Sequence, residues 1–260
     1  MTQNLLLDKI YIQDVFSFLE TLPNNIIDLA VIDPPYNLKV AEWDTFKNEN
    51  EFLDFSFRWI DSMLLKLKPN ASFYIFNTPY NSALFLNYLI DKAYFQNWIS
   101  WYKKDGLSYT KKRYVNNQEI ILFYTMHSSK YYFDYDNIRI PYTSTDRISH
   151  ATEKGILKNG KRWYPNPKGK LCPDIWEISS ARHKNKVNGK TIKLGHPTPK
   201  PRDMIERIIK ASSKDGDLIL DLFSGTGVTS IVSKDLGRHF IGCELNEKYI
   251  DENIQKILLK

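Results

Sequence analysis

Residues 26–32, Ile-Ile-Asp-Leu-Ala-Val-Ile, make an apolar run that stops at Asp33-Pro34-Pro35-Tyr36, and this junction constrains the fold more than any other stretch. The run is short and β-branched, the mark of a buried strand. Two successive prolines have no N–H to give a sheet ladder, so the strand ends there on a stiff bend. In open α/β sheets the carboxyl ends of the strands are where ligands bind. An acid, free carbonyls and an aromatic ring on such a bend suit a flat molecule with an amino group on its edge. Tyr36 would stack on it, while Asp33 and the Pro34 carbonyl would accept the amino hydrogens. A strand-ending turn with a capping aspartate explains the prolines equally well, so the functional reading needs a matching cofactor site elsewhere.

The chain around this junction alternates strands and helices. A short strand opens residues 5–20, followed by Asp14 and an amphipathic segment carrying Val15, Phe16, Leu19 and Leu22. Asp14 serves either as a helix cap or as a ligand contact; the sequence favours the cap. A helix is predicted over 51–67, with Phe52, Phe55, Trp59, Met63 and Leu67 on one face and Pro69-Asn70 ending it. Strands at 71–76, 95–102 and within 115–126 follow, with a helix near 81–92 between the first two. Residues 201–212 read as a helix with Pro201 at its first position, 217–221 as a strand, 226–236 as a helix, 239–244 as a strand and 246–259 as a final helix. This rhythm implies an α/β, mostly parallel, doubly wound Rossmann-like sheet.

Residues 127–195 break the rhythm, with apolar periodicity giving way to Lys, Arg, Tyr, Gly and Pro. Net charge is +6 for all 260 residues, yet His127 to Lys193 holds 14 Lys and Arg against 6 Asp and Glu, +8, leaving −2 for the remainder. A near-neutral body with one basic segment is the footprint of a nucleic-acid partner, although a solvated loop would carry the same charge. So long a structureless loop is unusual in a compact domain. The segment therefore reads as a partly ordered recognition insertion, with 1–126 and 196–260 forming the body. Arg139, Arg147, Arg162, Arg182 and His183 are candidates for base edges.

No stretch approaches the roughly 18–20 apolar residues of a membrane span, and residues 1–4 show no secretory pattern. Cys172 and Cys243 are too few for a disulfide framework or a four-cysteine zinc site, and two free thiols suit a reducing cytoplasm. No His, Cys and Asp cluster has metal spacing, so no metal is expected.

The matching cofactor site lies near the C-terminus. Asp221-Leu222-Phe223-Ser224-Gly225-Thr226-Gly227 joins a buried strand to a helix start, and Glu244 ends the next strand. The glycines allow a tight turn and close approach, the helix start offers unpaired N–H groups, and a carboxylate at 244 can accept both hydroxyls of a ribose. No P-loop spacing occurs, and Ser230 stands where a dehydrogenase has its third small residue.

Asp-Pro-Pro-Tyr at 33–36 and Phe-Ser-Gly-Thr-Gly at 223–227 resemble the two signature motifs of amino-group DNA methyltransferases. Gln13-Asp14, Asn117-Gln118-Glu119-Ile120 and His196-Pro197-Thr198-Pro199-Lys200-Pro201 also resemble family segments. The order of catalytic motif, basic insertion and cofactor motif is similar to the β subgroup, largely adenine-N6 enzymes. Gln13 departs from the usual glycine. The resemblance implies S-adenosylmethionine as cofactor, double-stranded DNA as substrate and a restriction-modification context. Glu244 would hold the ribose, Asp221 and Phe223, Ser224, Gly225, Thr226 and Gly227 the methionine part, Asp14 the adenine side and Lys200 the methionine carboxylate. Asp33, Pro34, Pro35 and Tyr36 would be catalytic, with Asp33 also beside the cofactor.

Two other readings stay open. Cytosine-N4 methylation uses the same geometry, with Asp rather than Ser at 33 leaning to adenine by resemblance only. A non-catalytic nucleic-acid-binding protein is the other, opposed by the intact acid and Gly-Thr-Gly turn. Cytosine-C5 chemistry is disfavoured, because Cys172 sits in the basic insertion and Cys243 in a buried strand. Asn77-Thr78-Pro79-Tyr80 looks like a second copy of the first motif without its first proline, and is expected to line the site at most. The oligomeric state is open, a homodimer included.

Overall fold

The computed structural model describes residues 6–103, 111–181, 184–187, 190–193 and 199–250. In chain order the elements are β1 (Lys9–Ile12), α1 (Val15–Thr21), β2 (Ile27–Ile32), α2 (Glu49–Leu64), β3 (Leu67–Asn77), α3 (Pro79–Leu89), β4 (Tyr94–Tyr102) and β5 (Gln118–Thr125). Next come α4 (Thr145–Lys154), β6 (Ile156–Lys158), β7 (Lys161–Trp163), β8 (Ile175–Glu177), β9 (Lys184–Val187) and β10 (Lys190–Lys193). The chain returns to the body with α5 (Arg202–Ser212), β11 (Leu218–Asp221), α6 (Val228–Asp235) and β12 (His239–Glu244).

Eight strands form one sheet in the order β1-β12-β11-β2-β3-β5-β4-β8. It is mostly parallel, as expected; only β5 runs antiparallel, to both β3 and β4. β2 shows why its sequence is apolar throughout. Ile27, Ala30 and Ile32 pack into one core layer with α1, α2 and α3, while Leu29 and Val31 pack into the other with α5 and α6. A strand covered on both faces cannot alternate polar with apolar residues.

Helix α2 starts where its caps dictate. The Asn48 side chain accepts from Glu51 N at 2.9 Å and Glu51 reaches back to Lys47 N at 2.6 Å, a variant of the capping box. It ends at Leu64, three residues before the predicted limit, and Pro69-Asn70 fall inside β3 at exposed positions. Leu67 therefore belongs to the strand that the helix feeds. α3 begins at Pro79 and not near 81, because Thr78 caps it. Pro201 is the cap of α5, with Arg202 as its first residue. In the predicted final helix, Glu247–Tyr249 is a single 3-10 turn, and 251–259 lie outside the described residues.

The basic insertion contains ordered elements. α4 and the β6–β7 hairpin follow each other, and β8 adds to the edge of the main sheet, pairing parallel with β4. Among the described residues no helix is long and apolar enough to cross a membrane.

Candidate active site

Helices α2 and α6, which follow β2 and β11, lie on opposite faces of the sheet. The two strands are parallel neighbours, with Ile219 opposite Leu29 and Leu220 opposite Ala30. Chain leaving β2 and chain leaving β11 therefore emerge side by side at a topological switch point, where the crevice of an open α/β sheet forms. Two segments almost two hundred residues apart in sequence meet there. A cavity of about 430 Å³ is lined by Asp33, Pro34, Pro35 and Tyr36 from one and by Asp221 to Thr226 from the other. Asp14, Lys200 and Glu244 line it too, while Gly227 is the residue that caps α6 beside it.

The glycine turn is held by two neighbouring strands, β11 and β12. Asp221 Oδ1 accepts Phe223 N–H at 3.1 Å, Ser224 N–H reaches Cys243 O at 2.9 Å, and Glu244 Oε2 accepts Gly225 N–H at 2.8 Å. Gly225 and Gly227 have φ of +48° and +68°, left-handed values that side chains disfavour. The turn crosses closely over β12. A Cβ on Gly242 would lie 2.4 Å from Ser224 Oγ and 2.8 Å from the Asp221 carbonyl oxygen. Glu244 Oε1 also accepts Asn246 N–H at 2.8 Å. β1 pairs in register with β12, Ile12 opposite Glu244, which brings Asp14 to the same edge. Asp14 caps α1, its Oδ1 accepting Phe16 N–H at 3.0 Å and Ser17 N–H at 3.1 Å, so it is a cap and a lining residue at once.

Around Asp33 the charges interlock. Lys200 Nζ lies 2.7 Å from each Asp33 oxygen and 3.5 Å from Glu119 Oε2, and Lys103 pairs with Glu119 from the other side. The Tyr36 hydroxyl lies 2.9 Å from Asp33 Oδ1 and 3.1 Å from Glu119 Oε2; with one hydrogen it donates to one of them at a time. Burial lifts the Asp33 carboxyl above its ordinary value, with Lys200 pulling against it. Burial acts the same way on Glu119, yet Lys200 and Lys103 outweigh it and hold Glu119 below the usual range. Burial alone would lower Lys200, but Asp33 and Glu119 raise it, so the ammonium keeps its proton. The Tyr36 phenol is pushed well above its ordinary value by burial and the two carboxylates. Asp221 is 5% exposed and has no ion-pair partner among the described residues; burial raises it to about 7, against hydrogen bonds from Thr229 and Phe223. Burial also raises Glu244.

The chain leaving the two prolines is ordered by Asp44, which is 1% exposed. Its Oδ1 accepts the N–H groups of Tyr36 at 2.6 Å and Asn37 at 2.8 Å, and its Oδ2 those of Leu38 at 2.9 Å and Val40 at 3.3 Å. From the first turn of α3, Asn81 Nδ2 donates to the Tyr36 carbonyl at 2.9 Å and to Asn77 Oδ1 at 2.9 Å. The Asn77-Thr78-Pro79-Tyr80 segment is thus absent from the cavity lining and braces the Asp33–Tyr36 bend from behind.

Sequence reasoning missed Glu119, Lys103 and Asp44 as members of this site. Glu119 left a trace, a carboxylate opening the apolar strand 120–124, but nothing in one chain marks Asp44. Of the base-edge candidates, Arg139 is engaged by Asp136 at 2.6 Å and the Gly169 carbonyl at 2.9 Å, and Arg162 by the Lys154 carbonyl, while Arg147 is exposed. Arg182, His183 and residues 196–198 lie outside the described residues. Among the described residues no cluster of metal-ligating side chains occurs, and Cys172 and Cys243 are free thiols.

A DNA methylase family, N6/N4 methyltransferases, matches residues 27–256. The Type II methyltransferase M1.MboII of Moraxella bovis is 56% identical over 95% of this chain and 95% of its own, and M.HpaI of Haemophilus parainfluenzae is 35% identical over 90% and 68%. The M1.HpyAVI–SAM complex shares the fold at TM-score 0.63 and 22% identity, covering 96% of this chain and 98% of that one. The cytosine-N4-specific PvuII DNA methyltransferase does so at TM-score 0.67 and 18% identity, covering 96% and 91%. A crevice built by these two motifs, in a chain matched this closely over nearly its whole length, belongs to a DNA methyltransferase of the N6/N4 family.

Proposed function

We propose that this DNA methyltransferase, which takes its methyl group from S-adenosylmethionine, transfers it to N6 of an adenine flipped out of duplex DNA at a specific site. The observation that carries the reading is the shared cavity, with Asp33 and the 223–227 turn on its walls. The cavity's own chemistry fits the cofactor. Asp221 is buried with no ion-pair partner among the described residues, and Glu244 keeps lone pairs beyond its bonds to Gly225 and Asn246 N–H. A ligand with an ammonium, a sulfonium and a ribose diol answers both. Asp221 and residues 223–227 would hold the methionine part, Glu244 the ribose hydroxyls, Asp14 the adenine side and Lys200 the methionine carboxylate.

When bound, the sulfonium supplies an electrophilic methyl group. The chain's residues prepare the nucleophile. An exocyclic amino nitrogen is a poor nucleophile because its lone pair is delocalised into the ring. Asp33 has one acceptor position left on Oδ2 beyond its contacts with Lys200 and Tyr36. Pro34 has no N–H, and its carbonyl accepts no hydrogen bond among the described residues. These two acceptors, taking one amino hydrogen each, favour a pyramidal nitrogen whose lone pair is free to attack. The Asp33 carboxylate also stands where positive charge develops on that nitrogen. Together, orientation and electrostatics can lower the barrier by several kcal/mol, roughly 5 or more. The Tyr36 ring would stack on the flipped base, the standard requirement for chemistry on a base.

Residues 127–195 would read the DNA. Lys158, Lys161, Arg162, Trp163 and Tyr164 are all exposed around the β6–β7 hairpin, a basic and aromatic set suited to phosphates and bases. The setting would be a restriction-modification system in the cytoplasm, as the kinship with Type II methyltransferases suggests, with a homodimer as one assembly. The test is transfer of labelled methyl from S-adenosylmethionine to duplex DNA, followed by nucleoside analysis. Label in N6-methyladenosine supports the reading; label in N4-methylcytosine replaces adenine by cytosine; no label overturns it.

A further inference from the structure

The Asp33–Tyr36 bend offers acceptors to an amino group, and what it withholds is as informative. Pro34 and Pro35 have no N–H at all, and the N–H groups of Tyr36, Asn37, Leu38 and Val40 all end on the buried Asp44 carboxylate. Asn37 and Lys39 adopt φ of +58° and +60°, left-handed values that alternate along the loop and let its N–H groups converge on one anion. Asp44 forms no ion pair among the described residues, so these backbone donors are its counter-charge. The ammonium groups facing the cavity, Lys103 and Lys200, are paired with Glu119 and Asp33. The bend's own N–H groups are thereby spent, while its carbonyl and carboxylate acceptors remain.

We infer that Asp44 is a specificity-determining positioning residue: by drawing the loop's N–H groups away from the cavity, it leaves a target pocket whose bend accepts hydrogen bonds and gives none. Such a pocket takes a base with an exocyclic amino group and rejects one with a carbonyl oxygen at the same place, because that oxygen would be buried against acceptors with no partner. This rests on the methyltransferase reading and deepens it. Asp44 acts through the backbone, without touching the base. Asn81, holding the Tyr36 carbonyl from the opposite side, fixes the same loop without disposing of any loop N–H.

The test uses the full chain and a duplex whose methylated base has first been mapped with wild-type protein. Affinity is measured for that duplex and for one in which the target carries a carbonyl instead of the amino group, hypoxanthine for adenine or uracil for cytosine. Wild-type protein should favour the amino base by about tenfold or more. Asp44→Asn should bring the ratio close to one and lower kcat about a hundredfold, with S-adenosylmethionine affinity, read by calorimetry, unchanged. Asn81→Ala should lower kcat while keeping the ratio. A wild-type ratio near one, an Asp44→Asn ratio equal to wild type, or a collapse of the ratio in Asn81→Ala as well would each overturn the inference. In those cases wild-type methyl transfer still stands. Absence of any transfer by wild-type protein removes the methyltransferase reading and this inference together.

Discussion

Lowering the pH should weaken cofactor binding through one carboxyl group, Asp221. It is 5% exposed, lacks an ion-pair partner among the described residues, and is raised by burial to about 7. A cationic ligand beside it favours the ionised form and lowers that value. The free protein therefore holds a proton at pH 6 that the complex does not, and binding releases it. For a group at about 7 in the free protein and two or more units lower in the complex, affinity should fall about tenfold, or ~1.4 kcal/mol, between pH 8 and pH 6. The same shift acts on folding in the opposite sense to a salt-bridged acid. The native state holds the extra proton between the unfolded value near 4 and the native value near 7. The ligand-free protein thus loses stability as pH rises through that window, by about 4 kcal/mol at most. Asp33 and Glu244 face the same cavity and are also raised by burial, so the control is Asp221→Asn, which keeps the shape and removes the titration. Calorimetry between pH 5.5 and 8, in buffers of different ionisation enthalpy, reads both affinity and protons released. About one proton should leave at pH 6 and almost none at pH 8. Wild-type affinity that is flat across this range, or an equal slope in Asp221→Asn, would refute the assignment.

Asp33→Ala should abolish methyl transfer while S-adenosylmethionine still binds, tested by labelled transfer beside calorimetry; wild-type turnover in the variant would remove Asp33 from the chemistry. Gly242→Ala should destabilise the fold by roughly 1–3 kcal/mol, since its Cβ would sit 2.8 Å from a backbone oxygen, and should weaken cofactor binding by displacing the glycine turn. Denaturant midpoints and binding isotherms check both effects. Replacing exposed Lys158 and Lys161 by Ala should weaken DNA binding at all sequences and reduce the log–log salt slope by roughly 0.9 for each phosphate no longer neutralised. An unchanged slope would place the DNA elsewhere.

Local chemistry decided what could be read from the chain alone. The apolar run 27–32 announces a doubly covered strand, two prolines end it, and glycines at 225 and 227 mark a turn that the backbone takes at positive φ. These are short-range steric and hydrogen-bonding rules, so Asp33, Tyr36, Asp221 and Glu244 were legible as candidates from their positions at strand ends. Where such rules compete, boundaries slipped: Pro69-Asn70 looks like a helix stop but sits in β3, where exposed positions tolerate it.

Only the tertiary structure could decide that β2 and β11 are neighbours, because strand order depends on which helix covers which face of the sheet. It also chose the partners of Asp33. Lys200, Glu119 and Lys103 come from three separate segments and meet by crossing the sheet edge, and no local pattern encodes that encounter. Asp44 is the clearest case: one acid among thirty in the sequence, it becomes the anchor of four N–H groups only because the loop folds round it.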